Sequence, residues 1–123
     1  MPAITRTGPS RYSATRSRAV IHAGNVLTVA TATTKTKSLY EQSKDALANV
    51  DKQLKEAGSD KSHIMMVMIY ITDIARKEEL NRAWDEWVDR ANPPLRACVG
   101  VALEKDDLVE FVVSAVTVEE AGR

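Results

Sequence analysis

The sequence predicts a single-domain α+β fold in which a mixed β-sheet carries two helices on one face. Three observations support this prediction. A chain of 123 residues is long enough to bury one hydrophobic core. Runs of β-branched and other apolar residues occur near both ends and in the middle of the chain, and two segments between them repeat apolar residues at helical spacing. In chain order these segments give β-β-α-β-α-β-β, with one domain over residues 1–123.

The first predicted elements are a polar arm and a hairpin. Residues 1–16 are polar and contain two prolines and a glycine, which predicts an extended or flexible arm. The runs AVIHAG (19–24) and VLTVATA (26–32) are rich in strand-forming residues. Asn25 follows Gly24 between them, a sequence typical of a tight turn. We therefore expect two antiparallel strands.

Two helices and three further strands follow. Apolar residues recur at helical spacing from about Thr36 to Ala57, and Gly58 is suited to end that helix. The run HIMMVMIYIT (63–72) is apolar almost throughout, which predicts a central strand covered on both faces. Asp73 is the predicted cap of a second helix, whose apolar stripe reaches residue 91 and which the Asn-Pro-Pro sequence at 92–94 ends. The last two strands are joined by residues 104–107.

Helices on a single face leave the other face of the sheet without a cover from the same chain. About half of the apolar side chains of each strand would then meet water. Large exposed apolar patches on proteins usually mark interfaces, so the sequence predicts self-association.

Composition excludes several functional classes. The 17 basic and 17 acidic side chains give a formal net charge of zero, which argues against nucleic acid and anionic membrane as partners. No apolar run approaches the roughly 18 residues that span a bilayer. Cys98 has no second cysteine to pair with, and two separated histidines do not form a metal site. We expect a cytoplasmic protein with no metal and no cofactor.

Two charged residues stand out because each lies in a strand-like apolar run. Arg96 lies in NPPLRACVGVAL and Glu110 in LVEFVVSAV. A buried arginine needs acceptors for five N–H groups, and a substrate carboxylate would provide two of them. A partly desolvated glutamate would have a raised pKa and could transfer protons at neutral pH. The alternatives are an Arg96 that pairs with an acid of a neighbouring subunit, and a Glu110 that merely points outward. In a tight hairpin Glu110 would lie opposite residue 100 or 101, too far along the strand from Arg96 for a direct bond.

These motifs, with SRAVIHAGNVL, EAGSDKSHI and LNRAWDEWV before them, resemble the Rid (YjgF) family of reactive-intermediate deaminases from about residue 17 to 116. The resemblance implies a chorismate-mutase-like homotrimer around a central barrel, with pockets between subunits. It also implies hydrolysis of imines or enamines such as 2-aminoacrylate to a 2-keto acid and ammonia. By the same resemblance Arg96 binds the substrate carboxylate, Glu110 positions or activates water, and Cys98 and Asn81 line the pocket. From the residue type alone, Cys98 fits a small buried residue better than a nucleophile.

The sequence departs from the family pattern at two pocket positions. In ATATTKTK, Ala30 occupies the position of the family's serine and Thr31 that of its glycine, so Thr31 or Thr33 is the candidate replacement hydroxyl. The family's tyrosine position falls near Arg16 or Ser17, while Tyr12 lies several residues earlier. An arginine there would add a second cation and favour a more acidic substrate. These departures leave open a noncatalytic protein that binds a small keto acid. An RNA-cleaving activity fits the zero net charge poorly.

Overall fold

The computed structural model describes residues 2–123, which form one mixed sheet and two main helices. The strands are β1 (Thr5–Thr7), β2 (Ala19–His22), β3 (Asn25–Thr31), β4 (Ile64–Ile71), β5 (Leu95–Gly100) and β6 (Val109–Val116). The helices are α1 (Leu39–Glu56), α2 (Lys77–Trp87) and the short α3 (Val118–Ala121). Across the sheet the strands run in the order β1-β2-β3-β6-β4-β5, with only β4 and β5 parallel. The predicted α+β class and element order are confirmed.

The predicted hairpin is β2–β3. Its two-residue turn is Ala23–Gly24, and both residues have positive φ angles, 50° and 83°. Two successive left-handed residues form the type of turn whose twist matches that of antiparallel strands. Glycine takes this conformation without strain, which explains why it stands at 24.

The arm predicted over residues 1–16 is partly tied to the sheet. β1 pairs antiparallel with β2, an additional strand that the sequence did not reveal because the segment is polar. The guanidinium of Arg18 holds the arm against α1, since it donates to both carboxylate oxygens of Glu56 and, at 2.7 Å, to the carbonyl of Pro9. The arm is therefore attached to one edge of the sheet and to the end of α1.

Helix α1 begins and ends at sequence signals. Ser38 is its N-cap, and the hydroxyl accepts from the backbone N–H of Glu41 at 3.1 Å. At the other end Gly58 has a φ of 83°, and the N–H of Ser59 reaches back to the carbonyl of Leu54 at 2.8 Å. The helix thus starts three residues later than the predicted Thr36 and stops where Gly58 indicates.

Helix α2 is shorter than predicted. Asp73 caps the 3₁₀ turn Ile74–Arg76 that precedes α2, rather than α2 itself. The helix ends at Trp87, so the predicted stripe residues Val88 and Ala91 lie beyond it. The carboxylate of Asp89 accepts from Ser62, from the Asn92 side chain and from the backbone N–H at 91. These competing bonds stabilise a turn there in place of another turn of helix.

The last two strands do not pair with each other. β6 inserts between β3 and β4, antiparallel to both, while β5 lies parallel to β4 at the edge of the sheet. The fully buried amide of Gln42 fixes the connection: it donates to the carbonyl of Asp106 at 2.9 Å and accepts from the N–H of Leu108 at 3.0 Å. The tight hairpin considered for residues 104–107 is therefore wrong. Strand β6 pairs with β3 and β4, and β5 pairs with β4 alone, so β4 lies between the two strands that a hairpin would have joined.

The helices cover one face of the sheet, as predicted. The core lies between α1, α2 and the inward residues of the strands, including Val67, Phe111 and Val113. On the other face Leu27 and Val29 are 56% and 51% exposed. The prediction that the central strand is covered on both faces is wrong for the chain alone, since Met66, Met68 and Tyr70 of β4 are only half-buried. Among residues 2–123 there is no helix with the length and apolar character needed to cross a membrane.

Ser43 generates a prediction about stability. Its hydroxyl is fully buried on α1 and has no hydrogen-bond partner among the described residues. Ser43→Ala should therefore stabilise the fold by about 1 kcal/mol, because it removes an unsatisfied polar group and improves helix propensity. The same change at the N-cap, Ser38→Ala, should cost about 1 kcal/mol. Urea unfolding measures both, and a destabilised Ser43→Ala protein would contradict the assignment.

Candidate functional site

Arg96 lies at the edge of the sheet, on the face that the helices cover. It pairs with the buried Val67 of β4, so its side chain extends toward α2. Nη2 donates to Oδ1 of Asn81 at 2.8 Å, and the guanidinium carbon lies 5.4 Å from the ring centroid of Trp84. The residue is half-buried, and no carboxylate within residues 2–123 forms an ion pair with it. Most of its donors remain available to a ligand.

Asn81 and Cys98 lie close to Arg96 in the structure. Asn81 fixes the guanidinium through Oδ1, and its Nδ2 donates to Oε1 of Glu78 at 3.2 Å, which sets the orientation of the amide. Cys98 is two residues along β5 and pairs with Ile69, so it lies on the same face. Burial raises the pKa of the Cys98 thiol, an effect that the charges of Arg96 and Lys77 oppose. A neutral thiol fits a wall of the site and not a nucleophile.

Glu110 lies on the opposite, open face of the sheet. Its neighbours across the strands are Thr31 of β3 and Tyr70 of β4. It lines a cavity of about 860 Å³ together with Tyr12, Arg16, Thr31 and Lys35. Burial raises the pKa of the Glu110 carboxyl, and the negative charges of Asp107 and Glu104 raise it further.

The structure places Tyr12 in this cavity, which the sequence analysis did not anticipate. The phenol lies 2.9 Å from the Thr31 hydroxyl and accepts from Nη2 of Arg11 at 2.5 Å. The arm folds back before β2, with the N–H of Ser10 donating to the carbonyl of Arg16 at 2.7 Å, and this turn brings Tyr12 to the end of β3. No local pattern in the sequence indicates that a residue so far before β2 returns to the sheet.

The two departures from the family pattern have clear positions. Ala30 is 3% exposed and faces the helices, whereas the Thr31 hydroxyl faces the cavity with Tyr12. Arg16 is exposed at the cavity rim, and within the described chain its guanidinium forms no hydrogen bond or ion pair. Thr31 thus supplies a hydroxyl beside Glu110, and Arg16 supplies a cation at the entrance.

Arg96 and Glu110 do not meet within one chain. The β4 partners of Arg96 and Glu110 are Val67 and Tyr70, three positions apart, and β5 and β6 flank β4 on its two sides. Strand geometry then separates their Cα atoms by about 14 Å, and the two side chains point to opposite faces. The chain therefore carries two separate half-sites: an edge half-site of Arg96, Asn81, Trp84 and Cys98, and an open-face half-site of Tyr12, Thr31 and Glu110.

Within residues 2–123 no three histidine, cysteine or carboxylate side chains come together as a possible metal site. His63 is engaged with Asp60, its Nδ1 lying 2.6 Å from the carboxylate, and neither histidine lines the cavity at Glu110. The two half-sites carry guanidinium, carboxylate, amide, hydroxyl and thiol groups.

A family profile described as endoribonuclease L-PSP matches residues 6–117, nearly the whole chain and both half-sites. The chain belongs to the YjgF/Rid family. A RutC family protein of Haemophilus ducreyi is 39% identical over 84 residues, 68% of this chain and 72% of the relative. A RutC family protein of Haemophilus influenzae is 44% identical over 77 residues, 62% of this chain and 66% of the relative.

Solved structures of the YjgF/Rid family have the same fold. NMB1025, a YjgF protein from Neisseria meningitidis, superimposes with a TM-score of 0.86 at 32% identity, covering 94% of this chain and 95% of that protein. Rv2704 of Mycobacterium tuberculosis, a member of the YjgF/YER057c/UK114 family, gives a TM-score of 0.83 at 26% identity, covering 94% of this chain and all of that protein. The resemblance in the sequence motifs is thus confirmed in three dimensions.

Tyr12 provides a spectroscopic prediction for this YjgF/Rid chain. Burial raises the pKa of its phenol, but the Thr31 hydrogen bond, the hydrogen bond and charge of Arg11, and the charge of Lys35 outweigh burial and lower the pKa below the ordinary value of 10.0. In a titration followed by phenolate absorbance, Tyr12→Phe identifies the Tyr12 contribution. Arg11→Met should move that contribution to higher pH. An unchanged midpoint in Arg11→Met would contradict the contact.

Proposed function

We propose that this protein hydrolyses a small carboxylate-bearing imine or enamine to a keto acid and ammonia. The observation that carries the proposal is Arg96, a half-buried guanidinium with one protein acceptor and no carboxylate partner in the described chain. A desolvated cation in this state is stabilised when an anion binds. A planar carboxylate matches its fork of donors through two parallel hydrogen bonds.

Glu110 supplies the acid/base group in this proposal. The carboxylate accepts a proton from a water molecule as the water oxygen attacks the carbon of the protonated imine, giving a neutral tetrahedral carbinolamine. The carboxyl group then returns this proton to the nitrogen, the carbon–nitrogen bond breaks, ammonia leaves, and the carboxylate takes the remaining hydroxyl proton as the carbonyl forms. The upward shift of the Glu110 pKa favours a group that both accepts and returns a proton. Imines hydrolyse readily, so orientation and one acid/base group suffice.

The proposal requires more than one copy of the chain. Arg96 and Glu110 lie on opposite faces of one sheet, so only a neighbouring subunit can bring the edge half-site of one chain to the open-face half-site of another. The exposed apolar face around Leu27 and Val29 supplies surface for such contacts. Each contact would join the edge half-site of one chain to the open-face half-site of the next. In a closed ring every such surface has a partner. We propose the homotrimer with shared pockets that the family resemblance implies.

The rival function is noncatalytic binding of a keto acid on the same scaffold. The sequence motivated it by the missing serine and tyrosine of the pocket. The hydroxyls of Thr31 and Tyr12, 2.9 Å apart in the cavity of Glu110, supply polar groups there from other positions and support the catalytic proposal. RNA cleavage, the activity in the family description, has less support, because the four carboxylates that line the cavity (Glu104, Asp106, Asp107 and Glu110) outnumber its three cations (Arg16, Lys35 and Lys105).

Hydrolysis of freshly generated 2-imino acids, followed by keto-acid or ammonia release, tests the proposal. Arg96→Ala and Glu110→Gln should each lower the rate by about 100-fold or more, since they remove substrate binding and proton transfer. Mixing the two inactive variants, after dissociation and reassembly, should restore about one quarter of the sites if each site takes one residue from each chain. Keto-acid binding that needs Arg96 without any turnover would establish the rival function. The absence of both turnover and keto-acid binding would contradict the hydrolase function and the binding function.

The pH profile is expected to follow Glu110. The reaction needs its carboxylate form, so activity is lost as pH falls through a pKa that lies above the ordinary glutamate value of 4.5. Glu104→Gln removes one of the negative charges that raise this pKa, and should move the acid limb of kcat/KM to lower pH. Glu119→Gln on the exposed α3 is the control and should leave the limb in place. A limb that moves upward in Glu104→Gln would contradict this role.

A further inference from the structure

Lys77, the first residue of α2, is four residues before Asn81 and therefore lies on the side of the helix that carries Asn81 to the edge half-site. Helix α2 and the preceding 3₁₀ turn cross β5 in the opposite direction to the strand. Ile74 packs over Gly100, where an added Cβ would lie 3.2 Å from the Cβ of Ile74, and Asn81 bonds Arg96. Lys77 is located between these two contacts and therefore faces Cys98, the helix-facing residue between Gly100 and Arg96.

The ammonium of Lys77 has no partner among residues 2–123. Its side chain is half-buried, yet it takes part in no hydrogen bond and no ion pair. Of the neighbouring acids, Glu79 pairs with Arg76, its Oε2 lying 2.8 Å from Nε, and Glu78 accepts from the neutral amide of Asn81. Neither acid forms an ion pair with Lys77 or Arg96, so the edge half-site presents two cations that have no ion-pair partner within residues 2–123.

We propose that Arg96 and Lys77 together bind a substrate with two carboxylates, so that the protein acts on dicarboxylic imino acids. This inference rests on the proposed function and names its substrate class. Lys77 and Asn81 are one helical turn apart, about 6 Å along the axis. Because the side chain of Asn81 is hydrogen-bonded to Arg96, Lys77 is displaced from the guanidinium by a similar distance along the helix axis. The two carboxylates of a dicarboxylate with four or five carbons in total have a comparable separation.

The surroundings of the two cations fit this assignment. The Cys98 thiol between them is kept neutral by burial, so it neither repels an anion nor neutralises a cation. Trp84 lies against the Arg96 guanidinium and limits where the first carboxylate can bind. A monocarboxylate held by Arg96 would leave the ammonium of Lys77 without a counterion. The second carboxylate of a dicarboxylate would provide one, and charge pairs of this kind discriminate between ligands.

Calorimetric binding of 2-oxoglutarate and 2-oxopentanoate tests the inference, since these keto acids have the same carbon chain and differ in one carboxylate. The native protein at low salt should prefer 2-oxoglutarate by about tenfold. Lys77→Met should reduce this preference to about one, and Lys77→Arg should retain it. Lys55→Met, which removes an exposed lysine of α1, is the matched control and should leave the preference unchanged.

Two results would overturn the inference: equal binding of the two acids to the native protein, or a preference that persists in Lys77→Met. Equal binding would indicate that a carboxylate of a neighbouring copy already pairs with Lys77. Because binding is measured without turnover, the two proposals fail separately. A dicarboxylate preference without imine hydrolysis would remove the hydrolase function and keep the binding site. Hydrolysis without the dicarboxylate preference would keep the hydrolase function and remove the dicarboxylate site.

Discussion

One constraint organises this molecule: the sheet is covered by helices on one face only, and side chains alternate between its faces. Every strand therefore divides its residues between a core and an open surface. On β6 this alternation buries Phe111 and Val113 and leaves Glu110 outside. On β5 it turns Arg96 and Cys98 toward α2. The same alternation that forms the core thus places Arg96 and Glu110, the two charged residues of the proposed site, on opposite faces of the sheet.

Much of the fold could be predicted from the sequence because its signals are local. The turn at Gly24 and the end of α1 at Gly58 depend on residues within a few positions of one another. The pairing of β6 between β3 and β4 was missed because it is set by contacts across long sequence distances, including the amide of Gln42 that holds residues 106 and 108. β1 was missed because a polar strand at the edge of a sheet has no hydrophobic periodicity.

The candidate site divides in a similar way. Arg96 and Glu110 could be identified because a charge inside an apolar run is unusual, and the family motifs then gave them roles. Tyr12 and Lys77 could not be identified from the sequence. The first reaches the cavity only through the fold-back of the arm, and the second faces β5 only because α2 crosses that strand in the opposite direction. Polar surface residues and site residues look the same until packing brings them beside other charges.

The electrostatic state of each half-site favours the shared pocket proposed above. In the single chain, the edge half-site has cations that lack anions, and the open-face half-site has a carboxylate whose charge is disfavoured by burial and by the acids near it. Each half-site therefore has an electrostatic cost, which comes from positive charge in the edge half-site and from negative charge in the open-face half-site. In the proposed assembly both costs would fall, because the guanidinium of one chain would add a positive field near the carboxylate of the next. A bound substrate that carries negative charge to Arg96 and accepts a proton near Glu110 completes this balance. Assembly and substrate binding are thus expected to favour each other.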